Sequence, residues 1–170
     1  MEVGIFCSSR ESAAILFGGI VAPLLSFLYE CGCKKIIYGG GDKGLMGVVY
    51  RESIALGMKV HGHNLERWSQ RFENEIVYTS LLERQNGLIQ ESQMYIVLPG
   101  GIGTIYELSQ VLCHNDVEQV GKKVILYNYD HYFDGFISML QHSISLGLMD
   151  NDRLNFYIIT SLDELKEILI

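Results

Sequence analysis

The 170-residue sequence predicts an α/β fold: a doubly wound, Rossmann-like parallel sheet flanked by helices, in a single domain over residues 1–170. Three observations carry that expectation. Short apolar, β-favouring runs alternate with segments of helical period, and such alternation implies parallel strands joined by right-handed crossovers. Two strand-to-helix junctions are glycine loops, Gly39 to Gly47 and Pro99 to Gly103, which in a parallel sheet open at the same carboxyl edge. Hydrophobic residues make up 48% and charged residues 19%, a globular composition at a length that buries most of its apolar surface.

Taken in order, Glu2 to Cys7 reads as a strand ended by Ser8-Ser9. Ala13, Leu16, Phe17, Ile20, Leu24 and Leu28 then mark one helical face, with Pro23 expected to kink it or force a restart, and Gly32 closing it. Lys35 to Tyr38 is a second strand running into the first glycine loop. Met58 to Gly62 is a third, followed by a polar, irregular stretch over 64–75 in which Trp68 and Phe72 are expected to pack. Ile76 to Thr79 is a short strand. Ser80 to Ser92 is an amphipathic helix with Leu81, Leu82, Leu88 and Ile89 inward. Met94 to Leu98 is a buried strand and the helix after it begins at Gly103-Thr104. Lys123 to Asn128, a helix over His131 to Leu146, a strand over Phe156 to Thr160 and a terminal helix complete the chain. Ser161 to Glu164 is a capping-box sequence for that last helix.

Composition narrows the function classes. A net charge of −7 argues against broad electrostatic binding to nucleic acid or to an anionic membrane. Neither an apolar run approaching the ~20 residues that span a bilayer nor a signal-like leader ahead of the first strand is expected. The four cysteines, Cys7, Cys31, Cys33 and Cys113, are scattered and lack zinc-site spacing, so they read as reduced cytoplasmic thiols. His61 and His63 share one face of a strand, but no third ligand stands at telling spacing, and no metal is expected.

The stretch with the most chemistry is Met94 to Leu112, strand, glycine turn and helix. Free N–H groups of a first helical turn, with roughly half a positive charge from the dipole, make an anion site from backbone alone. Thr104 can add a hydroxyl or cap the helix. Glu107, one turn in, would repel a bound phosphate unless its charge serves another step, such as stabilising a developing cation. The spacing alone is equally consistent with a tight turn and a helix cap.

The string P-G-G-x-G-T-x-x-E, Pro99 to Glu107, resembles the signature of the LONELY GUY (LOG) family, enzymes that hydrolyse cytokinin riboside 5′-monophosphates. Y-G-G-G-x-x-G-L-M-G over Tyr38 to Gly47 and F-C-S-S over Phe6 to Ser9 resemble the same family, and the likeness covers nearly the whole chain. The resemblance implies a LOG-like nucleotide-binding domain in which Arg84 and Glu107, 23 residues apart, are catalytic. It implies a phosphate cradle of Gly100, Gly101, Gly103 and Thr104, with Ser9, Gly39, Gly40, Gly41, Arg84 and Gln85 lining the nucleotide site and Glu66 matching a substrate-contacting glutamate. It implies cleavage of an N-glycosidic bond by water without metal or organic cofactor, a nucleotide as small-molecule partner, a homodimer whose partner helps close the site, and a cytoplasmic location. Gln85 stands where the family has lysine, Leu82 where it has histidine and Tyr106 where it has a first glutamate; His114-Asn115-Asp116 replaces W-A-Q. These departures bear on the preferred base more than on the reaction. The alternative is a non-catalytic phosphate-ligand binding protein resembling molybdenum cofactor carriers. A pyridoxal phosphate decarboxylase lacks a recognisable lysine here, and a dinucleotide enzyme lacks G-x-G-x-x-G in the first glycine loop.

Overall fold

A computed structural model describes residues 1–169. Seven strands, β1 (Glu2–Phe6), β2 (Lys35–Tyr38), β3 (Lys59–Leu65), β4 (Glu75–Tyr78), β5 (Met94–Val97), β6 (Lys123–Tyr127) and β7 (Phe156–Ile159), form one sheet in the order β4-β3-β2-β1-β5-β6-β7. Every pairing is parallel. Strand order reverses between β1 and β5, so the loops after these two strands diverge and leave a crevice at the carboxyl edge.

Side chains alternate across the sheet with period two, and each face closes its own core. Val3, Ile5, Ile36, Ile96 and Ile125 point to one face. There they meet α2 (Val21–Glu30), α3 (Gly44–Ala55) and α8 (Leu162–Leu169) through Leu24, Leu28, Leu45, Val49 and Leu165. Phe6, Ile37, Tyr95, Val97 and Leu126 point to the other. That face is covered by α4 (Leu81–Glu91), α5 (Ile102–Glu118) and α6 (Asp134–Ser145) through Leu88, Leu108, Val111 and Leu140. Ser161 caps α8 as its sequence predicts, accepting from Glu164 N at 3.4 Å, while Glu164 accepts from Thr160 N at 3.0 Å.

Several expectations are corrected. The stretch between Glu11 and Glu30 carries no charged residue and is long and apolar enough by composition to cross a bilayer. In the fold it is divided into α1 (Glu11–Phe17), a 3-10 turn at Gly18–Ile20, and α2, whose Val21, Leu24, Leu25 and Leu28 are wholly buried. The break falls at the glycine pair, and Pro23 sits in the first turn of α2, where a missing N–H costs nothing. Strands do not alternate with helices throughout: β3 extends to Leu65, and residues 66–74 reach β4 with only a 3-10 turn at Glu66–Trp68. Leu81 and Leu82 are exposed rather than inward; Leu88 and Ile89 make the contact of α4. A short helix, α7 (Asn151–Leu154), precedes β7 and has too few residues to show periodicity.

The first glycine loop is sterically exacting. Gly44 has φ +60°, and a Cβ there would lie 2.5 Å from Ser9 C and 2.6 Å from Arg10 N and O. Gly57 has φ +73° with open space around it. Gly44→Ala is therefore expected to destabilise by clearly more than the ~1 kcal/mol of left-handed strain that Gly57→Ala costs. Equal losses in thermal melts of the two variants would mean that the loop simply moves aside.

Candidate functional site

The crevice at the β1/β5 switch point is a cleft of about 700 Å³. Its walls come from the ends of β1 (Cys7, Ser8, Ser9), β2 (Gly39, Gly41) and β3 (Asn64), from the α5 N-terminus (Gly101 to Thr104), and from α4 (Arg84, Gln85). Residues separated by up to 100 positions in sequence thus meet because parallel strands end at one edge.

Arg84 and Glu107 form the floor. Both are buried, 8% and 4% exposed, and Arg84 Nη1 donates to Glu107 Oε1 at 3.3 Å. The guanidinium is held from several sides: Nε donates to His63 O at 2.7 Å, Nη2 to Gly39 O at 3.1 Å, and Nη1 also to Gln85 Oε1 at 2.9 Å. Main-chain carbonyls fix the arginine, and the arginine steadies the carboxylate. Gly39 is glycine for this reason, since a Cβ there would sit 2.5 Å from Arg84 Nη2.

Burial pushes the Glu107 carboxyl up to about 7, against the opposing pull of Arg84. A carboxyl poised near neutrality can exchange a proton during a reaction, whereas one at its ordinary 4.5 is a weak base. Cys7 lies beside it as a neutral thiol, its ionisation disfavoured by burial and by the Glu107 charge.

The α5 cap is Gly101, with no side-chain hydrogen bond, so Thr104 is the third helical residue rather than the cap. Gly101, Gly103 and Thr104 line the cleft, and a Cβ at Gly101 or Gly103 would meet nothing, which leaves room for a ligand. Gly100 and Gly40 stand behind the wall and serve packing: a Cβ on Gly100 would collide with Thr104, and Gly40 has φ +78° against Asn64. Ser9, Gly41, Arg84 and Gln85 line the cleft, whereas Glu66 is exposed and outside it. Of the departures from the family pattern, Gln85 and Tyr106 face the cleft. Leu82 does not; His114 borders a separate hollow of about 170 Å³, and Asn115 ties Lys122 and Leu154 main chain together.

Other cleft residues carried no sequence signal. Asn64 donates to Gly40 O, Trp68 O and Glu75 Oε1. Glu75 also accepts from Ser69 Oγ, Gln70 N and Arg71 N. Burial disfavours its charge, but those donors together hold it below the ordinary carboxylate value. This clamp shapes the short β3–β4 connection and sets Trp68 and Gln70 at the cleft. Trp68 is 57% exposed rather than packed, whereas Phe72 lies against Tyr50 and Tyr38. Arg10 and Lys43 also line the cleft. His61 and His63 do meet a third group that spacing could not reveal: Glu91, at 2.6 Å from each. Lys35 Nζ takes the same carboxylate at 3.0 Å, and no His, Cys, Asp and Glu grouping fit to hold a metal occurs among the described residues.

Removing Arg84 deletes the charge that lowers the Glu107 carboxyl. In Arg84→Met, a carbon-detected NMR titration is expected to place Glu107 above about 7; a lower value would mean that Arg84 does not hold the carboxyl down.

A family model described as "Possible lysine decarboxylase" matches residues 42–169. The "Probable cytokinin riboside 5'-monophosphate phosphoribohydrolase LOG4" of Oryza sativa subsp. japonica is 28% identical over 168 residues, covering 91% of this chain and 70% of the relative. Among solved structures, TM1055 superposes with a TM-score of 0.72 at 20% identity, covering 99% of this chain and 97% of that one. The Moco carrier protein from Chlamydomonas reinhardtii gives 0.67 at 16% identity, covering 99% and 96%.

Proposed function

The chain belongs to the family described as possible lysine decarboxylases, the LOG family, and from that premise we propose that it is a nucleoside 5′-monophosphate phosphoribohydrolase. The reading rests above all on the buried Arg84–Glu107 pair at the floor of a cleft that is also lined by a helix N-terminus with no side-chain cap. A carrier of a phosphorylated ligand would need the cradle alone. It has no use for a carboxyl lifted to about 7 a turn away from where the phosphate binds.

In the proposed reaction the 5′-phosphate docks at Gly101 to Thr104, where N–H groups and the helix dipole favour its charge. That remote anchor presents C1′ of the ribose to Glu107. As the C1′–N bond lengthens, its electron pair leaves with the base and the ribose gains oxocarbenium character, which a carboxylate stabilises. Glu107 takes one proton from the attacking water, oxygen bonds to C1′, and reprotonation of the base returns that proton. The products are free base and ribose 5-phosphate, and no metal or organic cofactor enters the balance. Arg84 keeps enough ionised Glu107 present at neutral pH for this to occur.

Beside its charged residues the cleft is lined by the neutral side chains of Gln85, Gln70, Tyr106 and Trp68, which would suit a planar, uncharged ring. Cytokinin riboside 5′-monophosphate and AMP-like nucleotides both meet that description. The proposal includes a homodimer formed through α4 and α5: Leu81, Ile102 and Tyr106 are exposed at the cleft mouth, so a second copy seated there would also close the site. The cysteines are free thiols, which suits the cytoplasm.

Because Glu107 acts ionised, kcat/KM is expected to rise with pH through about 7 and then level; a fall over that range would reassign it as an acid. Glu107→Gln should lose turnover by more than ~100-fold while still binding nucleotide, as read by steady-state kinetics and calorimetry. Full activity in that variant would remove Glu107 from the mechanism.

A further inference from the structure

The anion-binding turn is not held in place by its own helix. Pro99 O accepts from Ser8 N at 3.3 Å, and Gly100 O accepts from Tyr132 Oη at 2.8 Å. Two consecutive carbonyls are thereby tied to donors from the β1 loop and from the turn after β6. The peptide bonds are trans, and in a planar trans peptide the N–H points opposite to the C=O. Anchoring Gly100 O on Tyr132 therefore fixes the direction of the N–H on the other side of that peptide, that of Gly101, a residue that lines the cleft.

We infer that Tyr132 is a positioning residue for the 5′-phosphate: it touches no substrate, and it sets the direction of a donor that does. The inference rests on the nucleotide reading of the same cleft. The local build supports it. Asp130 and His131 both adopt left-handed backbone, φ 51° and 58°, a costly conformation away from glycine that persists where surrounding structure enforces it. Asn128 enforces it here, accepting from Phe133 N and donating to Asp134 Oδ1, each at 2.7 Å. The Tyr132 ring is wedged edge-on against Phe17 and Phe133, with centroids 5.4 and 4.9 Å away. Tyr132 is 45% exposed, and these two edge-on contacts orient its ring with the hydroxyl within reach of Gly100 O.

Tyr132→Phe keeps both aromatic contacts and deletes the hydroxyl alone. Calorimetry with AMP and with adenosine separates a phosphate effect from general loosening, and steady-state kinetics separates KM from kcat. AMP affinity is expected to fall ~3- to 10-fold, the scale of one hydrogen bond, with adenosine affinity and kcat unchanged and KM raised. Unchanged AMP affinity, or equal weakening of AMP and adenosine, would overturn the inference. Wild-type protein that binds AMP without hydrolysing it would sink the hydrolase reading and leave the Tyr132 comparison intact.

Discussion

The cleft depends on a guanidinium that main-chain oxygens hold in place. Arg84 spends its donors on His63 O, Gly39 O, the Gln85 amide oxygen and the Glu107 carboxylate, and each partner comes from a different element. A buried charge is tolerated only when it is paired and its donors satisfied. The ends of β2 and β3 must therefore close on α4 in one arrangement, and Gly39 must lack a side chain. Glu107, beneath this clamp, is shielded from water yet balanced by one positive charge. That balance between burial and Arg84 brings its carboxyl near neutrality instead of leaving it permanently charged or permanently neutral.

A second constraint acts on the anion end. The α5 N-terminus offers N–H groups by geometry alone, but their direction relies on where the preceding carbonyls are tied. Ser8 and Tyr132 supply those ties from the two strands that flank β5 in the sheet. The parallel topology does more than gather loops at one edge: it lets neighbouring loops orient one another. The Asn64–Glu75 clamp plays the corresponding part at the opposite wall, where a connection too short for a helix still presents Trp68 and Gln70 to the cleft.

Much of this is legible in the sequence because it is local. Strand runs such as Lys35–Tyr38, the two glycine loops and the capping box at Ser161 follow from patterns a few residues long. Arg84 and Glu107 stand out through a family string and its spacing. What escaped depends on distant partners. Nothing near Asn64 announces Glu75, and nothing near His61 or His63 announces Glu91. Nothing near Gly40 or Gly100 announces the crowding by Asn64 and Thr104 that leaves no room for a Cβ at either glycine. Leu81 and Leu82 fit an amphipathic pattern that the first turn of α4, at the cleft mouth, does not bury. The His114 and Leu82 departures looked relevant to the base and lie off the cleft, which leaves Gln85 and Tyr106 as the altered residues that line it.

If the buried pair and the α5 N-terminus act together, they break an N-glycosidic bond. The most direct measurement is ribose 5-phosphate release by the wild-type protein from a panel of AMP, its N6-isopentenyl derivative, GMP and CMP. Release from at least one of them is expected, with matching free base. Tight nucleotide binding with no release from any would contradict it and favour a carrier or sensor built on the same cleft.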